Sequence, residues 1–304
     1  MSVLKNVEAT PSRIRGVFRY LLNTRGQREK KSSLERILSP DYFVKDKPEK
    51  DRYSMARAAI NEGIKSGLFI SDNEDIALHP NLPVKAKNPQ FGDEFLPTVL
   101  SQLFFNLDNY ENHDLAILCA WYLHQDIFEA PTDSESMVES FSEQVGAIQI
   151  SGLSDGETYK LNDERLRQFE YWFCFLNFGW RHSVLGKKAI VPDPTNYLRK
   201  VLKDVFKQKN SELIPVNEFI LNLGRYCPVF ESGAFRDEIE QKVGQREHNY
   251  LSSVTSVSLR RIEEEGLIKL DKLSDTAVWV FLDGSDSRIS HITWLGDNLH
   301  GEQQ

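Results

Sequence analysis

The stretch from Tyr53 to Leu78, YSMARAAINEGIKSGLFISDNEDIAL, decides how this chain is read. Ala56, Ile60 and Ile64 recur at four-residue steps, as on the buried side of an amphipathic helix. Gly67 then ends the helix, a position that favours the left-handed backbone. Leu68 to Ile70 reads as a short strand, Ser71-Asp72-Asn73 as a turn, and Asp75 to Leu78 as the returning strand. The same order recurs near the other end. There Ser252 leads through Leu259 and Ile262 to Gly266, Leu267 and Ile268, then to Val278, Val280 and Phe281. A helix, a glycine and a β-hairpin in that order describe the third helix and wing of a winged helix-turn-helix, a fold that places its third helix in a DNA groove. The pattern predicts a mainly α protein with small β-hairpin wings, in tandem winged-helix domains joined by a helical middle region.

Working outward from Tyr53, Thr10-Pro11 supplies a capping residue and a first-turn proline. Ile14, Val17, Phe18, Leu21 and Leu22 then form one apolar stripe. Arg25, Gly26, Arg28, Lys30 and Lys31 make a basic turn, and Ser32 or Ser33 caps a short second helix that ends at Pro40. On the third helix Tyr53, Ser54, Arg57, Asn61 and Lys65 fall opposite the apolar positions, which makes them the candidates for groove contact. Arg57 offers paired donors to guanine or phosphate, Asn61 suits adenine, and Tyr53 and Ser54 near the helix start suit phosphate. Arg13, Lys31 and Arg36 are the flanking basic candidates. Charge supports this end: residues 1–66 hold 15 Lys or Arg against 8 Asp or Glu, a balance of +7, whereas the remainder holds 22 against 37, a balance of −15. A local positive field supplies the salt-dependent attraction to phosphate on which non-specific DNA binding depends.

The second copy has less favourable charge. Pro215 opens a helix, 232–243 supplies another, and Ser252 or Ser253 caps the third, whose outer side offers Ser252, Ser253, Ser256 and Arg260. Its last turn is Glu263-Glu264-Glu265, which repels phosphate and opposes the helix dipole. This domain is therefore expected to contact protein, with DNA as the alternative. In the middle, helices are expected at 95–105, 115–123 and 137–145, the last preceded by Pro131 and Asp133-Ser134-Glu135-Ser136 as a turn and cap. The run Phe169, Tyr171, Trp172, Phe173, Phe175, Phe178 and Trp180 reads as a buried helix rather than a base-stacking surface. A hairpin at 180–193 with Lys187 and Lys188 at its tip follows, which suggests a third, degenerate winged helix touching the DNA backbone. Thr195 is expected to cap the next helix. The resulting domains are 1–88, 89–210 and 211–304.

Composition removes several classes. Three widely spaced cysteines, Cys119, Cys174 and Cys227, do not form a disulfide framework or a zinc motif, and fit a reducing, cytoplasmic setting. No apolar run approaches the length of a membrane span. Catalytic patterns are missing: Gly186-Lys187-Lys188 lacks the rest of a phosphate loop, and no HExxH occurs. His113 and His124 lack a third ligand, and Glu240-Gln241-Lys242 near Asp237 lies in a helical pattern rather than at the strand end of a nuclease site. No enzyme activity, metal or cofactor is expected.

The basic unit from Pro11 to Leu78, the segment Gly186 to Thr195 (GKKAIVPDPT) after the aromatic helix, and Leu259 to Ile268 (LRRIEEEGLI) together resemble the DpdG family over nearly the whole chain. The resemblance implies an accessory component of bacterial clusters that place 7-deazaguanine bases in DNA and restrict unmodified phage DNA. It carries no catalytic residues over. The expected function is a non-catalytic DNA-binding subunit of such a complex, with duplex DNA on the N-terminal domain and a protein partner, such as a helicase or ATPase of the same cluster. The alternatives are a protein adaptor, as on chromosome-structuring ATPases, and a one-component transcription regulator, which would be a homodimer.

Overall fold

The computed structural model describes residues 2–108, 110–146, 148, 159–184, 187–206, 213–273, 277–282, 284–285 and 287–296. Pro11, whose missing N–H costs nothing at a first helical position, opens α1 (Pro11–Asn23). The predicted stripe is the buried one: Ile14, Val17, Phe18, Leu21 and Leu22 are all in the core. Thr10 does not cap the helix with its side chain; its hydroxyl lies 3.1 Å from that of Ser12. Beyond Gly26, at φ +69°, the expected basic turn becomes a strand, β1 (Arg28–Lys30). That pairing fixes where α2 (Lys31–Leu38) begins. Lys31 N–H donates to Glu74 at 2.8 Å, so the helix starts ahead of Ser32 and Ser33 and neither serine caps it. A short helix, α3 (Asp41–Val44), follows Pro40, and α4 (Ser54–Lys65) is the predicted third helix. The hairpin is β2 (Phe69–Asp72) and β3 (Asp75–Leu78), in a sheet ordered β1-β3-β2. Its register runs from Phe69 opposite Leu78 to Asp72 opposite Asp75, so the turn is Asn73-Glu74, one step later than expected. Asn73 takes φ +56°, which its short polar side chain tolerates.

The middle contains α5 (Leu96–Phe104), α6 (His113–His124), α7 (Ser134–Gln144) and α8 (Asp163–Phe175). Asp133 caps α7 as expected, accepting from Ser136 N–H at 3.1 Å. α6 is buried around its whole circumference from His113 to Leu123, which explains why its sequence shows no clean polar face. The aromatic run divides. Phe169, Trp172, Phe173 and Phe178 are core, whereas Tyr171 and Trp180 are 37% and 45% exposed. The hairpin is β4 (Gly179–Val184) with β5 (Lys187–Pro192), a two-stranded sheet among the described residues.

The last third is α9 (Thr195–Val205), β6 (Leu213–Pro215), α10 (Val216–Tyr226), α11 (Ala234–Val243), α12 (Ser253–Glu264), β7 (Ile268–Asp271), β8 (Trp279–Phe281), β9 (Ser287–Ile289) and β10 (His291–Trp294). Thr195 is the first helical residue of α9 rather than its cap. Asp193 does the capping, accepting from Thr195 N–H at 3.2 Å and from its hydroxyl at 2.6 Å. The predicted returning strand at Val278 to Phe281 does not pair with Ile268. It pairs with β9, and β10 returns beside β7 in a sheet ordered β6-β10-β7.

The two ends share a backbone plan. Each runs helix, strand, helix, short or second helix, long helix and strand, and in each the first helix packs on the long one: α1 on α4, α9 on α12. The corners after the long helices match closely. Ser66 and Glu265 both take φ −74° and ψ −8°, and Gly67 and Gly266 take φ +79° and +75°. Leu68 N–H donates to Gly63 at 2.9 Å, and Leu267 N–H to Ile262 at 3.2 Å, the long bond of a glycine-terminated helix. Nearly all the buried apolar residues belong to one continuous core from Val3 to Trp294.

Candidate nucleic-acid interface

The outer face of α4 is the first candidate. Arg57 and Asn61 are exposed, as is Arg36 on α2, and Lys31, the first residue of α2, is half-buried. Arg57 Nε is held by Glu35 at 3.1 Å, Nη1 lies 3.4 Å from Lys50 O, and the guanidinium lies over the Tyr53 ring at 5.8 Å. A guanidinium gripped along one edge is oriented before any ligand arrives, which lowers the entropy cost of a paired contact. Tyr53 and Ser54 are less available than the spacing predicts. Both are half-buried: Tyr53 OH points to Asp41 at 3.4 Å, and Ser54 donates to Glu8 at 3.0 Å. Lys65 is withdrawn from the face. It is paired with Glu62 at 3.0 Å and Glu111 at 3.1 Å, and although burial opposes its charge, the two carboxylates hold its pKa above the ordinary value. Arg13 lies apart at the start of α1, where Nη1 donates to Glu8 O at 2.7 Å.

Sequence reading missed an aromatic feature beside this face. In α3, Tyr42 and Phe43 are each 76% exposed and meet edge to face at 5.4 Å, with Lys45 over the Tyr42 ring. The signal was the pair of adjacent aromatics between Pro40 and Lys45, a spacing that a short helix cannot bury on one side.

The equivalent face of α12 is sealed. Ser252, Ser253 and Ser256 were expected on the outside and are 0%, 2% and 0% exposed. Ser252 caps α12 through Thr255 N–H at 3.2 Å and donates to Glu231, whose other oxygen accepts from Thr255 at 2.8 Å. Ser253 donates to Asp126 at 3.0 Å and accepts from Ile127 N–H at 2.8 Å. Ser256 accepts from Leu282 N–H at 3.0 Å. β8, which the wing reading placed elsewhere, contributes to this cover: Leu251 N–H donates to Val280 O and Val280 N–H to Asn249 O, laying β8 along the start of the helix. Arg260 is half-buried, pairs with Glu263 at 2.7 Å and lies over the Phe281 ring. The acidic last turn is largely used internally too. Glu263 also accepts from Leu270 N–H at 2.8 Å, and Glu265 grips Arg199 of α9, one contact being 2.7 Å.

Elsewhere, Lys188 is exposed on β5, opposite Ser183. Of Lys187 only the backbone is described, and the hairpin turn at Leu185-Gly186 lies outside the described residues. His113 is engaged by Glu238 of α11 at 2.9 Å, and His124 by Arg246, three residues beyond the end of α11, at 3.0 Å. Burial and the neighbouring Arg236 and Arg246 push the His124 pKa down to about 2, so it stays neutral. No group of three potential metal ligands occurs among the described residues. Glu240 is on α11, paired with Arg236 at 2.9 Å, and not at a strand end. No described helix is long and apolar enough to cross a membrane.

These features define a mainly helical protein with small antiparallel hairpins and a basic, outward-facing helix pair near its N-terminus. Residues 1–276 match the DpdG-like family, and the chain belongs to that family. Membership links it to the bacterial 7-deazaguanine DNA-modification and defence clusters that the resemblance implied. No curated protein and no solved structure matches the chain.

Proposed function

We propose that this chain is a non-catalytic, DNA-contacting accessory subunit of a 7-deazaguanine modification and defence complex. In this reading the two ends are winged helices. The N-terminal one holds duplex DNA across α2 and α4, and the C-terminal one, which begins at α9 rather than at Pro215, braces the core. One observation carries the reading: at the same position in matching corners, Arg57 is exposed and Ser256 is fully buried. The excess of 15 basic over 8 acidic residues in 1–66 supports DNA on the first face, and the balance of −15 beyond it leaves the remaining surface to a protein partner such as a helicase or ATPase.

The test is a mobility-shift titration of duplex DNA against the full chain in a salt series. Arg36→Glu with Arg57→Glu is expected to weaken binding at low salt by about tenfold or more and to reduce the salt slope by about two. Unchanged affinity in a folded double variant would remove DNA from this face. A protein-adaptor role is the second reading, favoured by the exposed Tyr42–Phe43 pair, since paired exposed aromatics are typical of protein contacts.

A further inference from the structure

Between the start of α1 and the end of α8 lies a cavity of about 600 Å³. Its walls bring together Arg13 and Arg15 of α1, Arg181 of β4, and the hydroxyl residues Thr10 and Ser12, with no carboxylate among the described lining residues. The three guanidinium groups are not equally committed. Arg15 is neutralised by Asp93, a two-point contact at 2.9 and 3.0 Å through Nε. Among the described residues the Arg13 side chain donates to one acceptor, the neutral carbonyl of Glu8, and so brings its charge to the site. Arg181 stacks on Tyr171 at 4.5 Å and lies 3.9 Å from Glu170, outside hydrogen-bond range, so its charge is only partly offset. α1 points its N-terminus, the positive end of its dipole, at the same void, and no side chain caps it. Burial pushes the Cys174 thiol in the wall up to about 11, against the pull of Arg181, so it adds no negative charge.

A bare phosphate would fill only a small part of this volume. Pro11, Tyr171 and Phe175 supply apolar and aromatic wall beside the charged end, an arrangement suited to a planar ring attached to an anion. We propose that the cavity binds a 5′-phosphorylated nucleotide unit, with Arg13 and Arg181 on the phosphate and Phe175 flanking the base. The unit belongs either to a free deoxynucleotide or to the terminal nucleotide of a DNA strand. The site shares no residue with the α2–α4 face except that Glu8 touches both Arg13 and Ser54.

The experiment is calorimetric titration of the full chain with dAMP, alongside binding of one duplex carrying either 5′-phosphate or 5′-hydroxyl ends. Binding of dAMP with no preference between the ends assigns the site to free nucleotide; a preference for the phosphorylated ends assigns it to DNA termini. In either case Arg181→Glu and Arg13→Ala are each expected to weaken that binding by about tenfold or more. The Arg36→Glu, Arg57→Glu double variant is expected to leave dAMP binding and the end preference intact, so failure of the α4 reading does not register here. Absence of both dAMP binding and end preference overturns the proposal. So does unchanged binding in an Arg181→Glu or Arg13→Ala chain that unfolds at the wild-type temperature.

Discussion

α4 and α12 are helices of equal length that end in the same glycine corner, but their outer faces have opposite fates. On α4 the residues after the first turn alternate between core and solvent, and the hairpin that follows turns back at once through Asn73-Glu74. On α12 the chain between β7 and β10 is longer, and β8 and β9 occupy it. The added strand runs along the helix start, whose serine and threonine residues are small enough to be buried and able to satisfy buried polar groups locally. Backbone equivalence thus says little about surface equivalence. The longer segment between β7 and β10 adds cover over the start of α12 that the Asn73-Glu74 turn does not supply over α4.

The seal over α12 rests on a buried charge pair, and breaking it carries the largest expected effect. Glu231 accepts from Ser252 and Thr255 and lies 3.6 Å from Arg236, whose side chain is fully buried and also paired with Glu240. Glu231→Ala leaves Arg236 with Glu240 alone and deprives the buried Ser252 and Thr255 hydroxyls of their acceptor, and is expected to cost about 3 kcal/mol or more in urea unfolding. Burial raises the Glu231 pKa, but Arg236 and the Ser252 hydrogen bond outweigh it and hold the carboxyl below the ordinary glutamate value. A group depressed in the folded state contributes fully above its unfolded pKa and loses that contribution as pH falls through the folded one. The difference between wild type and Glu231→Ala should therefore shrink on acidification below the usual glutamate range. A pH-independent difference would show that packing, not charge, holds the seal.

A smaller effect is expected where the two corners differ in filling. Gly63 on α4 is matched by Ile262 on α12, and Phe69 on β2 by Ile268 on β7, so bulk has moved from helix to strand. A Cβ on Gly63 would come within 2.2 Å of the Phe69 ring. Gly63→Ala is expected to lose about 1–3 kcal/mol by overpacking, despite its better helix propensity, and added Phe69→Leu should recover part of it. A stabilised single variant would mean that the ring has room to swing away.

Much of the backbone was legible because its signals are local. The stripe on α1, the glycine corners and the Asp133 and Ser252 caps each need only a few neighbouring residues. The corrections came from long-range pairing. Ser32 and Ser33 look like caps until Lys31 binds Glu74, and Val278 to Phe281 looks like a returning strand until β10 takes its place. The candidate site divided in the same way. Helical spacing placed Arg57 and Asn61 correctly in the open, but it could not show that Lys65 meets Glu111 or that Ser256 lies under Leu282. The pairing of Arg13 with Arg181 around one cavity joins residues far apart in sequence, and no periodicity encodes it.

The smallest effect is expected at Tyr42 and Phe43, and it sharpens where the open face ends. Both rings are mostly in solvent, so Tyr42→Ser with Phe43→Ser should change stability by no more than about 0.5 kcal/mol per site. Bases in an intact duplex are stacked and present edges rather than faces, and affinity for it is dominated by phosphate contacts, so duplex binding should fall by less than about threefold. A partner protein bound through the aromatic pair would instead lose its grip, because exposed aromatics that become buried at an interface carry much of its energy. Should duplex affinity drop further than that, the DNA surface extends from α4 onto α3, and the adaptor reading loses the observation that favours it.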